Sequence, residues 1–208
     1  TVGHKKGGVG KSTLAVNLAA EAARLGRDAL LVDADSGIGT ATRWIADRAE
    51  DPALTPISHT QQTGNVRAAL LDFGTRYGVV IVDVAGRDSA ELRTALTASD
   101  LLLIPTQPSQ ADLDAMSPLL HTVREARDFN PHLRTLAVLT RASTHVFSRA
   151  ARDAIEYLGD LDGLAVAQTL VHERTAYQAG LSLGRGVVEM EDRKARAEIQ
   201  LLAQELGL

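Results

Sequence analysis

Seven residues near the start of the chain, Gly7-Gly8-Val9-Gly10-Lys11-Ser12-Thr13, restrict its fold more than any other stretch. The glycines let the backbone curl so that successive N–H groups point inward, forming a nest for phosphate oxygens. Such a nest works between a buried strand that delivers the chain and a helix that carries it away, so the loop asks for an α/β unit. Only Thr1, Val2, Gly3 and His4 precede the loop to supply that strand, and with no initiator Met a few upstream strand residues are expected to be missing. After it, Leu14, Leu18, Ala19 and Ala22 share one helical face, and Ala15 and Ala20 add helix propensity. In that setting Lys11 reaches the β/γ-phosphates of a nucleotide, the Ser12 hydroxyl ligates Mg²⁺, and the helix dipole favours the same anion. The usual pattern, Gly-x-x-x-x-Gly-Lys-Ser/Thr, has glycine at position 5. This chain has Lys5 there, followed by Lys6.

Four apolar runs, Ala29 to Val32, Val79 to Val82, Leu101 to Ile104 and Leu136 to Leu139, are nearly continuous rather than alternating. Strands of that kind are buried on both faces. Helical patterns separate them at Lys11 to Leu25, Thr40 to Arg48, Asn65 to Arg76, Ala90 to Ala98 and Ala111 to Asp128. A helix near Phe147 to Leu158, a short strand near Leu164 to Ala167 and a helix near Glu191 to Leu206 complete the series. The alternation predicts a doubly wound, mostly parallel sheet flanked by helices, with residues 1–208 as a single domain built on the phosphate loop. The chain has 208 residues and no cysteine, which excludes disulfides, thiolate metal sites and thiol catalysis. No segment approaches the ~18 apolar residues of a membrane span. A reduced, cytoplasmic setting is therefore expected. The formal net charge of −4 means that any nucleic-acid role must rest on a local patch.

In such sheets ligands gather at the carboxyl ends of the strands. One run ends there in Asp33-Ala34-Asp35-Ser36-Gly37, another in Asp83-Val84-Ala85-Gly86. Asp, Ser and Gly also make ordinary turns. Two aspartates at alternate positions go further: Asp35 can orient or polarise an attacking water, and Asp33 can hold the loop by hydrogen bonds. An apolar strand ending in Asp83 beside a phosphate loop suits Mg²⁺ held through water. Gly86 can offer its N–H to a γ-phosphate.

Lys6 before the glycine pair, Asp33-Ala34-Asp35, Asp83-Val84-Ala85-Gly86 and Ile104-Pro105-Thr106-Gln107-Pro108-Ser109 together resemble the ParA/MinD family of deviant Walker A ATPases. The resemblance runs over nearly the whole chain, and its length is similar to that of the small ParA proteins of plasmid partition. It implies ATP and Mg²⁺ as ligands. It also implies that Lys6 reaches across an ATP-sandwich homodimer, that Lys11 is the phosphate-loop lysine, and that Ser12 is the Mg²⁺ ligand. Thr13 would contact the α-phosphate, Asp35 would activate water, and Asp83 would be the Walker B acid, with both carboxylates near the metal through water. The chain departs from the pattern at Ser36-Gly37, where Pro-Gln is frequent, and at His4 and Lys5, where Asn and a variable residue are more usual. Lys6 can also be read as a solvated loop lysine, and Asp112 either as its partner without nucleotide or as an acid near a helix N-terminus.

Thr140 and Arg141 follow the last long strand, where the base can bind, and the segment Leu170 to Ala176 can close over it. The absence of Asn-Lys-x-Asp favours adenine. Arg185, Arg193, Lys194 and Arg196, with Arg174, form a candidate patch for non-specific nucleoid DNA that can also be read as an ordinary solvated helix face; Arg141, Arg149 and Arg152 form a second candidate. The C-terminal helix is amphipathic but acidic after Arg196, unlike the basic helices of membrane riders. The resemblance thus implies a slow ATPase, stimulated by a ParB-like or cargo-adaptor partner, that positions a plasmid, chromosome or protein complex on the nucleoid. The alternatives are a metabolic or regulatory P-loop ATPase of the same superfamily and a membrane-associated MinD-like protein.

Overall fold

In the computed structural model, which describes residues 1–35, 37, 39–144 and 149–208, the four apolar runs form parallel strands at the centre of a sheet. They are β1 (Ala29–Ala34), β3 (Val79–Val84), β4 (Leu101–Thr106) and β5 (Arg134–Leu139), with β2 (Ser58–Gln61) and β6 (Ala165–Val166) at the edges. The residues before the phosphate loop join the two halves. Val2 bridges both Asp83 and Leu103 in parallel, so the spatial order is β2-β1-β3-Val2-β4-β5-β6. All the paired strands run parallel.

The pleat divides the apolar side chains between two cores. Leu30, Val32, Val82, Val84, Leu102, Ile104, Ala137 and Leu139 face one core, shared with α3 (Arg67–Arg76), α4 (Ala90–Leu96), α6 (Met116–Arg127) and α7 (Arg149–Gly159). Leu31, Ile81, Leu103 and Val138 face the other, against α1 (Lys11–Arg24), α2 (Thr40–Ala49), α8 (Thr175–Ser182) and α9 (Arg193–Leu206). Burying each such leucine, valine or isoleucine side chain contributes about 1.5–3 kcal/mol. The doubly wound α/β architecture is as the apolar runs predict.

Three details differ from the sequence expectations. β2 was not anticipated because Ser-His-Thr-Gln has no apolar face; it is a polar edge strand paired only to β1. The helix expected over Ala111 to Asp128 is divided into α5 (Gln110–Asp114) and α6 at Ala115. Pro118 is the cause, since it has no N–H to return to the Asp114 carbonyl. α8 was also not anticipated. The expected start of a helix at Phe147 lies outside the described residues, which begin again at Arg149. α9 starts at Arg193 because the Asp192 side chain caps it, accepting from the Lys194 and Ala195 N–H groups at 3.0 Å each. Among the described residues no helix is long and apolar enough to cross a membrane.

Candidate nucleotide site

Val2 carries the chain up the middle of the sheet, and the loop of residues 5–10 turns it into α1 at the carboxyl ends of β1, β3, β4 and β5. Gly10 is the N-cap of α1 at φ 99°, a conformation that strains any residue with a Cβ. No side chain caps α1, so its first N–H groups are left to an anion. Two neighbouring strand ends pin the loop. The Thr140 hydroxyl donates to the Val9 carbonyl at 2.8 Å, and the Gln107 side-chain amide donates to the Gly8 carbonyl at 3.1 Å. Lys11 is buried and donates to the Lys6 carbonyl at 3.0 Å. Burial lowers its pKa, while Asp83 and Asp35 pull it back up.

Asp83 stands one residue before the end of β3, level with Asp33 in β1, and is fully buried. Burial pushes its carboxyl up to about 7. The Ser12 hydroxyl and Lys11 oppose that rise and the charges of Asp33 and Asp35 add to it. Ser12 stands close enough to influence the carboxylate, yet neither Asp83 oxygen completes a hydrogen bond within the protein. An orphaned buried carboxylate beside a serine hydroxyl fits Mg²⁺ held partly through water. Among the described residues no group of three or more His, Cys, Asp and Glu could hold a metal by itself. A cation here therefore needs phosphate oxygens and water to complete its shell.

Gly86 packs against the phosphate loop so closely that a Cβ would lie 2.7 Å from Gly7 Cα and 2.7 Å from Lys11 Nζ. Only glycine fits, and its position beside Lys11 suits the expected contact to a γ-phosphate. Asp33 is buried and takes the tethering role: Oδ1 accepts from the Asp35 N–H at 3.1 Å, and Oδ2 accepts from Thr42 N–H at 2.9 Å and Thr42 Oγ1 at 2.7 Å. Asp35 is half-buried and acts electrostatically on both Lys11 and Asp83. Its Oδ1 accepts from the Gly37 N–H at 3.0 Å. Ser36, the other half of the departure from Pro-Gln, lies outside the described residues.

Lys6 and Asp112 meet. The Lys6 ammonium lies 2.5 Å from Asp112 Oδ1, with the lysine 38 % exposed and the aspartate fully buried. Asp112 also sits in the first turn of α5 and accepts from Ser109 Oγ at 3.0 Å, so both roles considered for it are filled. Beneath them the Lys6 N–H donates to His4 Nδ1 at 2.9 Å. Burial holds His4 down to about 4, so the ring is neutral and free to accept there. Lys5 has partners that sequence reasoning did not find: it donates to Thr122 Oγ1 at 2.7 Å and pairs with Asp88 at 3.3 Å. Asp88 is held down to about 2, first by its Arg93 partner. No sequence signal links Lys5 to a residue so distant in the chain.

A pocket of about 110 Å³ opens beside Gly10, Thr13 and Leu14, bounded by Thr140, Arg141 and the segment from Val171 to Arg174. Arg141 turns there at φ 49°, the one non-glycine residue with positive φ among those described. The candidate DNA residues are not brought together as free charges. Arg174 pairs with Glu198 at 2.7 Å, Arg185 pairs with Asp51 at 2.6 Å, and Arg196 donates to the Met190 carbonyl. Arg193 and Lys194 are exposed at the start of α9, as are Arg149 and Arg152 on α7.

Comparison with known proteins shows the family and the fold. A family model described as the CobQ/CobB/MinD/ParA nucleotide binding domain matches residues 1–185. The chain is 30 % identical over 209 residues to the maintenance of carboxysome distribution protein A of Halothiobacillus neapolitanus, covering 99 % of this chain and 94 % of that one. It is 33 % identical to the chromosome-partitioning ATPase Soj of Thermus thermophilus over 165 residues, 65 % of this chain and 66 % of that protein. The fold is similar to the septum site-determining protein MinD of Pyrococcus horikoshii, solved with Mg-ADP, at TM-score 0.77 and 16 % identity over 99 % of this chain and 93 % of that one. It is also similar to Cobyrinic Acid a,c-diamide synthase of Mycobacterium smegmatis with an ATP analog and magnesium, at TM-score 0.76 and 19 % identity over 99 % and 92 % of the two chains. With a glycine-capped helix, a pinned lysine loop and an unpartnered acid beside its serine, matched by a family model along most of its length, the chain belongs to the CobQ/CobB/MinD/ParA nucleotide-binding family.

Proposed function

We propose that the protein is a ParA-type ATPase that dimerises around two ATP–Mg²⁺, binds DNA without sequence preference as a dimer, and hydrolyses ATP to position a cargo. The observation that carries the ATPase reading is the orphaned, buried Asp83 carboxylate beside Ser12 and Lys11. The cargo reading is supported by relatives named for carboxysome distribution and for chromosome partitioning.

Lys11, the loop N–H groups and the N-terminus of α1 bind the phosphate chain and neutralise its charge. Ser12 and Asp83 would hold Mg²⁺, which would supply positive charge against the phosphate chain. Asp35 orients a water in line with the γ-phosphate. As the water oxygen bonds to the γ-phosphorus, the bond from that phosphorus to the bridging oxygen breaks. The products are ADP and inorganic phosphate, and the water's proton leaves toward Asp35 and solvent. Gly86 senses the γ-phosphate, because its backbone lies against Gly7 and Lys11. Lys6 leaves Asp112 and enters the site of a second copy, where its charge acts on the transferring group as an arginine finger does. Hydrolysis therefore depends on dimerisation, is slow alone, and is stimulated by a ParB-like or cargo-adaptor protein.

Arg193 and Lys194 are the members of the C-terminal cluster left to meet DNA phosphates, and a two-fold dimer doubles them. Arg174, Arg185 and Arg196 support the surface from their internal partners. The proposed setting is the nucleoid, without a membrane. Sedimentation with and without ATP, with and without DNA, tests the reading. A dimer that forms with ATP and co-sediments with DNA at low salt is expected; a monomer that ignores ATP contradicts it.

A further inference from the structure

Glu198 lies on α9, remote in sequence from the phosphate loop, yet the inner wall of the pocket beside Gly10 is organised around it. Its carboxylate is largely buried, at 8 % exposure. Oε1 accepts from Arg174 Nε at 2.9 Å and Nη2 at 2.7 Å and stands 2.8 Å from His172 Nδ1. Oε2 accepts from the Tyr177 hydroxyl at 2.9 Å and the His172 backbone N–H at 3.2 Å. Burial and the Glu198 charge push the Tyr177 phenol far up, so it remains a donor. His172, Arg174 and Tyr177 all line the pocket, opposite Gly10, Thr13 and Thr140; Glu198 does not.

We propose that Glu198 is a positioning residue for the nucleobase: it fixes the wall from His172 to Tyr177 against which the base of a bound nucleotide stacks. The inference rests on the nucleotide reading above. The pocket is continuous with the start of α1 at Gly10 and Thr13, so a nucleotide whose phosphates occupy the loop directs its base into it. The wall takes its shape from one carboxylate that satisfies a guanidinium, an imidazole, a phenol and a backbone N–H. Removing that acceptor takes a partner from a cation and from three further groups beside the pocket. Phosphate binding draws on residues 7–13 instead, so the two contributions to affinity separate.

Calorimetric titration of ATP and of inorganic tripolyphosphate, each with Mg²⁺, into wild type, Glu198→Ala and Glu198→Gln reads this separation. ATP affinity is expected to fall about tenfold in Glu198→Ala and about threefold in Glu198→Gln, with tripolyphosphate affinity within about twofold of wild type in both. Should Glu198→Ala fail to fold, Glu198→Gln carries the same comparison, and retained tripolyphosphate binding certifies its fold. Unchanged ATP affinity in the variants, or a parallel fall for tripolyphosphate, overturns the positioning role while leaving the nucleotide reading intact. A wild type that binds ATP no more tightly than tripolyphosphate overturns the nucleotide reading and this role with it.

Discussion

Replacing Asp83 by Asn should make the protein more stable while removing its response to Mg-ATP. The carboxyl rises from 3.8 to about 7 on folding, chiefly by burial. At about 1.4 kcal/mol per pH unit, that rise corresponds to roughly 4 kcal/mol of native-state destabilisation once the group is ionised. The sign follows from proton binding: between 3.8 and about 7 the folded state holds a proton that the unfolded state has lost. Stability therefore declines as pH rises through that window and stays low above it. Asparagine removes the charge, but its buried NH₂ needs a partner, which offsets about 1–2 kcal/mol. A net gain of about 2 kcal/mol remains, or roughly 4–8 °C in melting temperature for a chain of this size. Thermal melts without nucleotide at about pH 8 should show the gain in full; near pH 4, where the wild-type carboxyl is protonated and only the cost of the buried asparagine NH₂ remains, the variant should melt no higher than wild type. Addition of Mg-ATP should then raise the wild-type melting temperature and barely move the variant. A variant less stable than wild type at the higher pH, or equally stabilised by Mg-ATP, would refute the reading of Asp83 as a carboxylate kept unpaired for a cation.

Gly86→Ala forces a Cβ to within 2.7 Å of both Gly7 Cα and Lys11 Nζ, so Mg-ATP affinity should fall at least about tenfold in the same calorimetric assay. Glu189→Ala strands Arg48, which is 3 % exposed and bonded to both Glu189 oxygens at 2.6 and 2.8 Å. Urea unfolding should register a loss of about 3–5 kcal/mol, less whatever the Thr55 and Gly184 carbonyls retain of the guanidinium. The double substitution Arg193→Ala, Lys194→Ala should weaken DNA binding equally for all sequences and flatten its salt dependence by about 2 in log–log slope per chain. An unchanged slope would move the DNA surface elsewhere, to Arg149 and Arg152 first.

What could be read in the sequence is what is local. The phosphate loop is contiguous, and Asp33, Asp35 and Asp83 end apolar runs whose two-sided burial shows in their continuity. β2 was not legible because an edge strand needs no apolar face, and Ser58 to Gln61 has none. The break at Ala115 was legible in principle, since Pro118 must cost the helix one hydrogen bond. The basic cluster is only partly legible, for another reason. Sequence displays the charges of Arg174, Arg185 and Arg196 but not their partners, and Arg185 meets Asp51 from more than a hundred residues away. The same limit hid Glu198, whose role exists only once α9 packs beside α8.

In the proposed dimer, one subunit's Lys6 completes the hydrolytic site of another. Phosphate release from an equimolar mixture of Lys6→Ala and Asp35→Ala tests it. Each variant alone should be inactive: the first lacks the donated cation and the second lacks the group that orients water. In mixed dimers the Lys6→Ala subunit keeps Lys11, Asp35 and Asp83 and receives an intact Lys6 from its companion. The mixture should regain roughly a quarter of wild-type turnover, because about half the dimers are mixed and each holds one complete site. Turnover in the mixture no greater than the sum of the two variants measured apart would mean that Lys6 does not act across the dimer.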